Sequence, residues 1–223
     1  DDAVDTPLIE HATLTLAAMA GIHVATTRAL PIPPRHGKAR HALTIKRFDR
    51  LGEIRMHCLS AKTVLRAARL SESYSALATV LLRLGHPDRQ GAMREELFKR
   101  MVFNILMDNT DDHERNHSLR LGFDGYYELS PAYDVVPSLQ NLGYQAMLVG
   151  TAGAASSLDN ALTELSEFGI NRARAIALIQ QVAQAVDRWQ VYFAELGVCA
   201  SDMDLLRASI DRDAMKQQRK AYC

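Results

Sequence analysis

Polar residues that could carry out chemistry are concentrated between Asn104 and Ser138, in a chain that otherwise reads mostly as amphipathic helix. The segment contains Asp108, Asp111, Asp112, His113, Asn116 and Asp134. Mg²⁺ prefers hard oxygen ligands and usually takes only one or two carboxylates, so Asn116 and Asp134 are candidate metal ligands. A further carboxylate, that of Asp111, could orient an acceptor hydroxyl and accept its proton. The pattern therefore predicts magnesium-dependent phosphoryl transfer.

The spacing of Asp111 and Asn116 follows the pattern D-x-x-x-x-N, which protein kinases use for the catalytic Asp and a metal-binding Asn. This pattern alone arises often by chance. Its value comes from Asp134, which a predicted hairpin would carry to the same edge of the fold. The alternative interpretation is a solvated acidic turn whose side chains only cap backbone groups.

A helix and a hairpin must position these side chains. Residues 97–107 form an apolar run with hydrophobic positions at helical spacing, and the Asn and Asp residues that follow favour a turn. Asp111 is therefore expected on a loop just beyond a packed helix. Residues 117–121 and 126–129 flank the sequence Gly-Phe-Asp-Gly, which is a hairpin signature. Because a hairpin brings its two ends together, Asn116 and Asp134 should meet at the edge where the Asp111 loop lies.

Three segments of the chain resemble, in their order and approximate spacing, the HipA-like serine/threonine kinases, the toxins of bacterial toxin–antitoxin pairs. They are residues 43–50 (LTIKRFDR), 109–116 (NTDDHERN) and 129–136 (LSPAYDVV). The resemblance implies ATP and Mg²⁺ as cofactors, with the adenine against the backbone of a hinge at residues 46–48 and with His113 near the phosphates. It implies Asp111 as the catalytic base, Lys46, Arg47, Phe48, His113, Tyr133 and Asp134 around the nucleotide, and Asn116 and Asp134 on the metal.

The sequence departs from the family pattern at several positions. Asp108 stands where the family often has Gly, and Arg115 stands where it often has Lys. Kinases of the family also carry a glycine-rich phosphate loop and a strand lysine before the hinge. Residues 1–44 contain no glycine-rich run, and Lys38 reads as part of a loop between strands. The resemblance therefore predicts that this sequence is the retained portion of a longer kinase and is not by itself a competent one.

The predicted fold class is α+β, with a protein-kinase-like arrangement of a mainly helical large lobe and a truncated, strand-bearing small lobe. Residues 1–50 are expected to be the remnant of the nucleotide-binding small lobe with the hinge. Residues 51–223 are expected to be the helical large lobe with the catalytic loop and the metal-binding hairpin. Residues 145–150 could form a further strand.

Helix signals mark both ends of the chain. The first helix should have Thr6 as its N-cap and should carry Glu10, which either pairs with a lysine or is exposed to solvent. Two long helices, over residues 173–196 and 203–219, should close the chain. The basic residues at the end of the second one, Lys216, Arg219 and Lys220, read as a solvated helix terminus.

Composition sets broader bounds. The 223 residues are 48% hydrophobic and 23% charged with a formal net charge of zero, so bulk charge favours neither nucleic acid nor a membrane surface as a direct partner. No stretch approaches the roughly 20 apolar residues of a membrane span. The three cysteines have an odd number and no metal spacing, which fits a reducing cytoplasm.

The resemblance also implies partners for the chain. They are a protein that supplies a serine or threonine acceptor and a DNA-binding antitoxin. Two alternative hypotheses stay open. The chain could be a non-catalytic module that binds ATP or an antitoxin and lacks the phosphate loop, or it could be a small-molecule kinase of related fold.

Overall fold

A computed structural model describes residues 3–33 and 40–222, and Lys38 lies outside these ranges. The helices in the described ranges are α1 (Thr6–Met19), α2 (Ala61–Ala67), α3 (Tyr74–Leu84), α4 (Gln90–Leu106), α5 (Leu158–Ala161), α6 (Leu165–Phe168), α7 (Arg172–Val186), α8 (Trp189–Glu195), α9 (Ala200–Ile210) and α10 (Asp213–Lys220). The strands are β1 (Thr27–Ile32), β2 (Arg40–Ile45), β3 (Arg50–Leu51), β4 (Ile54–Arg55), β5 (Cys58–Ser60), β6 (Ser118–Leu121) and β7 (Tyr127–Leu129). The mixture of helices and small sheets confirms the predicted α+β class.

The strands pair into three small antiparallel sheets. β1 pairs with β2 ahead of the hinge, β3 pairs with β4 just after it, and β5, β6 and β7 form a sheet in that order. The predicted hairpin is confirmed, since Leu119 pairs with Leu129 and Leu121 with Tyr127. Gly125 in its turn has φ of +83°, a conformation that glycine adopts without steric cost. The hairpin thus returns the chain towards residues 108–116, which are the predicted catalytic loop.

Helix α4 is the packed support of the catalytic loop. From Leu97 onwards most of its side chains are buried, because hydrophobic residues recur at the spacing of one helical face and the neighbouring helices cover it. Phe98 and Met101 are fully buried, and burying a side chain of this size contributes roughly 1.5–3 kcal/mol. Phe98 packs edge-on against Phe168 of α6, with the ring centroids 5.4 Å apart. The end of α4 is therefore firmly held.

The prediction of two long closing helices was wrong. Each is divided, with breaks at Asp187 between α7 and α8 and at Asp211 between α9 and α10. Arg219, which was expected to be solvated, is buried and lies between the two breaks. Its Nε donates to Asp187 at 2.6 Å and its Nη2 to Asp211 at 2.7 Å. A buried guanidinium must be paired, so the breaks bring both carboxylates to it.

The N-terminal helix differs from expectation in its cap. Asp5, not Thr6, is the N-cap residue, and its carboxylate accepts from the ring of His41 at 2.7 Å instead of capping the helix. The apolar face of α1 belongs to the same hydrophobic core as α3, α4 and α7. This core contains residues from both sides of residue 50. It therefore does not by itself mark a boundary there, and the domain division at residue 50 stays a prediction.

The segment at residues 145–150 is not a strand of a sheet. It makes isolated bridges, in which Leu148 pairs with Ser73 and Gly150 with Gly153. Within residues 3–33 and 40–222, no helix combines the length and the apolar character needed to cross a membrane.

Candidate functional site

The catalytic loop leaves α4 through a residue in an unusual conformation. Asp108 directly follows the C-cap of the helix and has φ of +54°, in the left-handed region. A non-glycine residue pays roughly 1–2 kcal/mol there, although Asp tolerates it better than most residues. The Asp108 side chain is fully buried.

The predicted site residues meet around the side chain of Asn116. Its Nδ2 donates to the carbonyl oxygen of Asp111 at 3.4 Å and to that of Asp134 at 3.5 Å. Asn116 itself is buried, whereas Asp111 and Asp134 are exposed at the surface. One carboxamide thus joins the loop after α4 to the segment after the hairpin.

Asp134 is the second non-glycine residue of the site in the left-handed region, with φ of +57°. Its backbone N–H donates to Oε1 of Glu10 on α1 at 3.1 Å. Glu10 is half-buried, so the expectation of a simply exposed glutamate was wrong. No lysine pairs with it within residues 3–33 and 40–222, and because Lys38 lies outside these ranges the alternative of a lysine partner stays a prediction. Burial and the neighbouring Asp134 carboxylate raise the pKa of Glu10 to about 6. The glutamate fixes the backbone of the candidate metal ligand.

The electrostatics of Asp134 reflect its neighbours. Although Asp134 lies at the surface, partial desolvation by the surrounding protein raises the pKa of its carboxyl above the usual range, and the His113 ring opposes that rise. The carboxylates of Asp111 and Asp112 add to it, since they disfavour another negative charge nearby. A divalent cation would relieve this crowding of negative charge. The donor chemistry at Asp134 therefore fits a hard metal ion.

His113 presents a polar atom that lacks a partner. Its Nδ1 is buried and has no hydrogen-bond partner among the described residues. A buried polar group in this state is unfavourable and usually has a ligand or water to satisfy it. This observation is consistent with the predicted place of His113 beside the nucleotide phosphates.

A buried polar network beneath the loop was missed by the sequence analysis. Asp112 is 2% exposed, and its Oδ2 accepts from the Tyr74 hydroxyl and contacts His117 Nε2 at 2.8 Å. Burial alone would raise the pKa of Asp112, but His117 and the hydrogen bond from Tyr74 outweigh it and hold the pKa below its usual range. The contact between Asp112 and His117 joins the two residues that directly follow Asp111 and Asn116. It therefore fixes the two ends of the catalytic loop against each other.

Tyr133 connects the hinge to the catalytic loop. Its hydroxyl donates to the carbonyl oxygen of Arg115 at 2.8 Å and lies 2.7 Å from Ser118 Oγ. Its ring stacks on Phe48 with centroids 5.5 Å apart and an interplanar angle of 24°. Burial raises the pKa of the Tyr133 hydroxyl. The two predicted nucleotide-contacting aromatic residues are thus brought together.

A groove of about 300 Å³ lies along the hinge, a volume at the lower end for small-molecule sites. It is lined by Ile45, Lys46, Arg47, Phe48, Asp49, Cys58 and Tyr133. All the predicted hinge residues therefore border one cavity. The Arg47 side chain is held by Asp49, to which its Nε and Nη2 donate at 2.8 and 2.6 Å.

Two backbone groups of the hinge already have partners. The N–H of Lys46 donates to the Thr26 carbonyl at 2.8 Å, and the carbonyl of Phe48 accepts from Arg120 Nη1 at 3.1 Å. An adenine in this groove would have to use the other backbone groups of residues 46–48. These two hydrogen bonds thus reduce the number of backbone groups at the hinge that an adenine could contact.

Comparison with known proteins places this geometry in a family. The sequence profile of the HipA-like C-terminal domain matches residues 1–189. Among curated proteins, no sequence matches the chain significantly.

Two solved structures share the fold over 100% of the chain. One is the HipA protein of Shewanella oneidensis MR-1, solved with HipB and operator DNA, with 19% sequence identity and a TM-score of 0.70. The other is the Helicobacter pylori proinflammatory kinase CtkA, with 9% identity and a TM-score of 0.67. The chain spans 56% of the HipA chain and 84% of the CtkA chain. At these identities the likeness establishes the fold.

Proposed function

The chain belongs to the family of HipA-like C-terminal domains, and on that premise we propose that it is the catalytic part of an ATP- and Mg²⁺-dependent serine/threonine protein kinase. The observation that carries the proposal is the Asn116 carboxamide, which bonds the backbone of both Asp111 and Asp134. This contact brings a candidate base and a candidate metal ligand to one surface. Such an arrangement is what phosphoryl transfer requires of a protein, since positioning and charge neutralisation supply most of the acceleration.

Asp111 acts as the base in this proposal. Its carboxylate is exposed at the end of the loop, where an acceptor hydroxyl can reach it. It orients that hydroxyl and accepts its proton as the oxygen attacks the γ-phosphorus and the bond to the β-phosphate oxygen breaks. ADP leaves, and the acceptor becomes a phosphomonoester.

Asp134 and Asn116 would hold Mg²⁺, which neutralises the charge of the β- and γ-phosphates when it is bound. Within residues 3–33 and 40–222, no group of three or more His, Cys, Asp or Glu side chains could hold a metal ion. Mg²⁺ takes few protein ligands and completes its shell with water and phosphate oxygens, so the proposed site needs no more than the oxygens of Asp134 and Asn116 from the protein. Both hydrogen bonds of Asn116 use its nitrogen, which leaves the amide oxygen as a ligand.

The proposed nucleotide lies with its adenine in the hinge groove and its phosphates near His113. Phe48 and Tyr133 border the groove, and the ring of Phe48 supplies an apolar face for the base. The Nδ1 atom of His113 has no hydrogen-bond partner within residues 3–33 and 40–222, so it provides a polar atom for a phosphate oxygen or for a water bound to it.

The proposed partners follow from the relatives. The Shewanella HipA was solved with HipB and operator DNA, and HipA and HipB form a toxin–antitoxin system. We extend this to the present chain as a DNA-binding antitoxin partner and a cellular protein that supplies the serine or threonine acceptor.

The test uses two variants of the protein as the cell makes it. Asp111→Asn keeps the size of the side chain and removes the base, so transfer from radiolabelled ATP should fall by roughly 10²- to 10⁴-fold while nucleotide still binds. Asp134→Asn should instead weaken the binding of Mg²⁺-ATP in isothermal titration. If Asp111→Asn abolishes nucleotide binding and Asp134→Asn leaves it unchanged, the two roles are reversed.

The same assay separates the alternatives. Tight Mg²⁺-ATP binding with no transfer to any protein, including the chain itself, would favour a non-catalytic nucleotide-binding module. Transfer to small hydroxylated molecules but not to proteins would favour a small-molecule kinase.

A further inference from the structure

The strained start of the catalytic loop is tied to the far end of the chain. Asp108 is fully buried, and its carboxylate forms an ion pair with Nη2 of Arg212 at 2.9 Å. Arg212 lies in the short connection between α9 and α10, beyond residue 189, where the family match ends. A contact between a catalytic-loop residue and these last helices is therefore a feature of this chain outside the matched family segment.

Arg212 contacts more than one part of the site. Its Nη1 donates to Asn141 Oδ1 at 2.7 Å, in the segment that follows Asp134. In addition, the Asp108 carbonyl accepts from the Ser138 N–H at 2.8 Å, in the same segment. One guanidinium and one carbonyl thus fasten the start of the catalytic loop to the chain that carries the candidate metal ligand.

The need for this contact follows from the chemistry of Asp108. A glycine would adopt its left-handed backbone without cost and would bury no charge. The aspartate buries a carboxyl, whose pKa is raised by that burial and lowered by Arg212. Without Arg212, the carboxylate would be a buried charge with no counter-ion, so Asp108 would have to take up a proton or move its side chain outwards, and either change disturbs the start of the loop.

We propose that Arg212 is a positioning residue for phosphoryl transfer, which holds Asp108 and thereby the loop bearing Asp111 in the geometry that reaction needs. It touches neither the nucleotide nor the acceptor in this proposal, and it acts through Asp108. The expected effect on the reaction rate rests on the proposed kinase function. The ion pair between Arg212 and Asp108, which we call the clamp, does not depend on that function.

The experiment compares Arg212→Gln with the double variant Asp108→Gly/Arg212→Gln. Hydrogen exchange is followed in the peptide covering residues 107–117, and kcat and KM for ATP are measured in parallel. Arg212→Gln should speed exchange in this peptide and lower kcat by about 10- to 100-fold, because small displacements of catalytic groups are costly. KM for ATP should stay within about threefold, because the hinge groove is untouched. The double variant should recover both quantities, since glycine needs no counter-ion.

A matched control is Arg207→Gln. Arg207 lies on α9 and, like Arg212, pairs with an aspartate, Asp204, but both of these partners are exposed. This change should leave loop exchange and kcat as in the parent. Normal exchange and kcat in Arg212→Gln, or failure of the double variant to recover, would overturn the proposal.

Two further outcomes also test the proposal. If Arg212→Gln does not fold, Asp108→Gly is compared with the double variant; equal kcat values support the clamp, and a further loss in the double variant refutes it. If the unsubstituted protein as the cell makes it transfers no phosphate, the proposed function fails, while the exchange data still decide whether Arg212 holds the loop.

Discussion

Asp112→Asn is expected to cost about 3 kcal/mol of the free energy of unfolding, because its carboxylate contacts Tyr74 and His117 and each hydrogen bond to a charged group contributes about 1.5–3 kcal/mol. The lower end applies since Asn keeps the shape and one acceptor oxygen. Asp112 is 2% exposed and contacts both Tyr74 and His117. Its sequence neighbour Asp111 is exposed, so Asp111→Asn should change the same quantity by less than about 0.5 kcal/mol.

Urea unfolding of the two variants measures this difference. The chain has a single tryptophan, Trp189, which is buried in the core and therefore reports unfolding by its fluorescence. The urea dependence of the unfolding free energy should be the same in both variants, so that the midpoint alone reports stability. Phosphoryl transfer should show the reverse order: it should fall by roughly 10²- to 10⁴-fold in Asp111→Asn and by less in the folded fraction of Asp112→Asn.

The reasoning would be refuted by a loss below about 1 kcal/mol in Asp112→Asn, which would mean that the charge of the network contributes little. Equal losses in the two variants would refute the assignment of one aspartate to the fold and the other to the reaction. A third variant, His117→Gln, removes the ring from the same pair and should be destabilised to a similar degree.

Three further predictions concern pH, packing and the metal-binding segment. The pKa of Asp112 is held below its ordinary value of 3.8, so its stabilising contribution is complete above about pH 4 and is lost as pH falls further; acid titration of unfolding should therefore affect the parent more than Asp112→Asn. A Cβ at Gly150 would lie 2.2 Å from a backbone carbonyl oxygen, so Gly150→Ala should destabilise by more than about 2 kcal/mol, whereas Gly91→Ala, in open space on α4, should stabilise by roughly 0.5–1 kcal/mol in the same urea assay. Glu10→Ala removes the acceptor of the Asp134 N–H, worth about 1 kcal/mol, and should weaken Mg²⁺-ATP binding about fivefold in isothermal titration, whereas Glu10→Gln keeps the acceptor oxygen and should not.

The parts of the site that could be predicted from sequence depend on short-range patterns. The hairpin follows from alternating residues around Gly-Phe-Asp-Gly, and the end of α4 follows from an apolar run that stops at polar residues. Closure of the hairpin then brings Asn116 towards Asp111 and Asp134 with no long-range information. The hinge segment was predictable only through its resemblance to the family, since nothing in its composition indicates a nucleotide.

Contacts between distant parts of the chain were not predictable. The helix breaks near the C-terminus exist because Arg219 is buried with Asp187 and Asp211, and no local signal distinguishes it from a solvated arginine at a helix end. Asp112 and His117 likewise read as two more polar residues in an acidic loop. Their burial depends on Tyr74, which lies 38 residues before Asp112 in the chain.

The two strained aspartates show why these distant contacts matter for the reaction. Asp108 and Asp134 both have left-handed backbones, and such conformations persist only where the surroundings hold them. Asp134 is held by Glu10 near the start of the chain, and Asp108 by Arg212 near its end. The loop between them therefore depends on elements from both ends of the sequence. A substitution that loosens α1 or the connection between α9 and α10 should reach the proposed base and metal ligand without touching either, and activity should fail before the core unfolds.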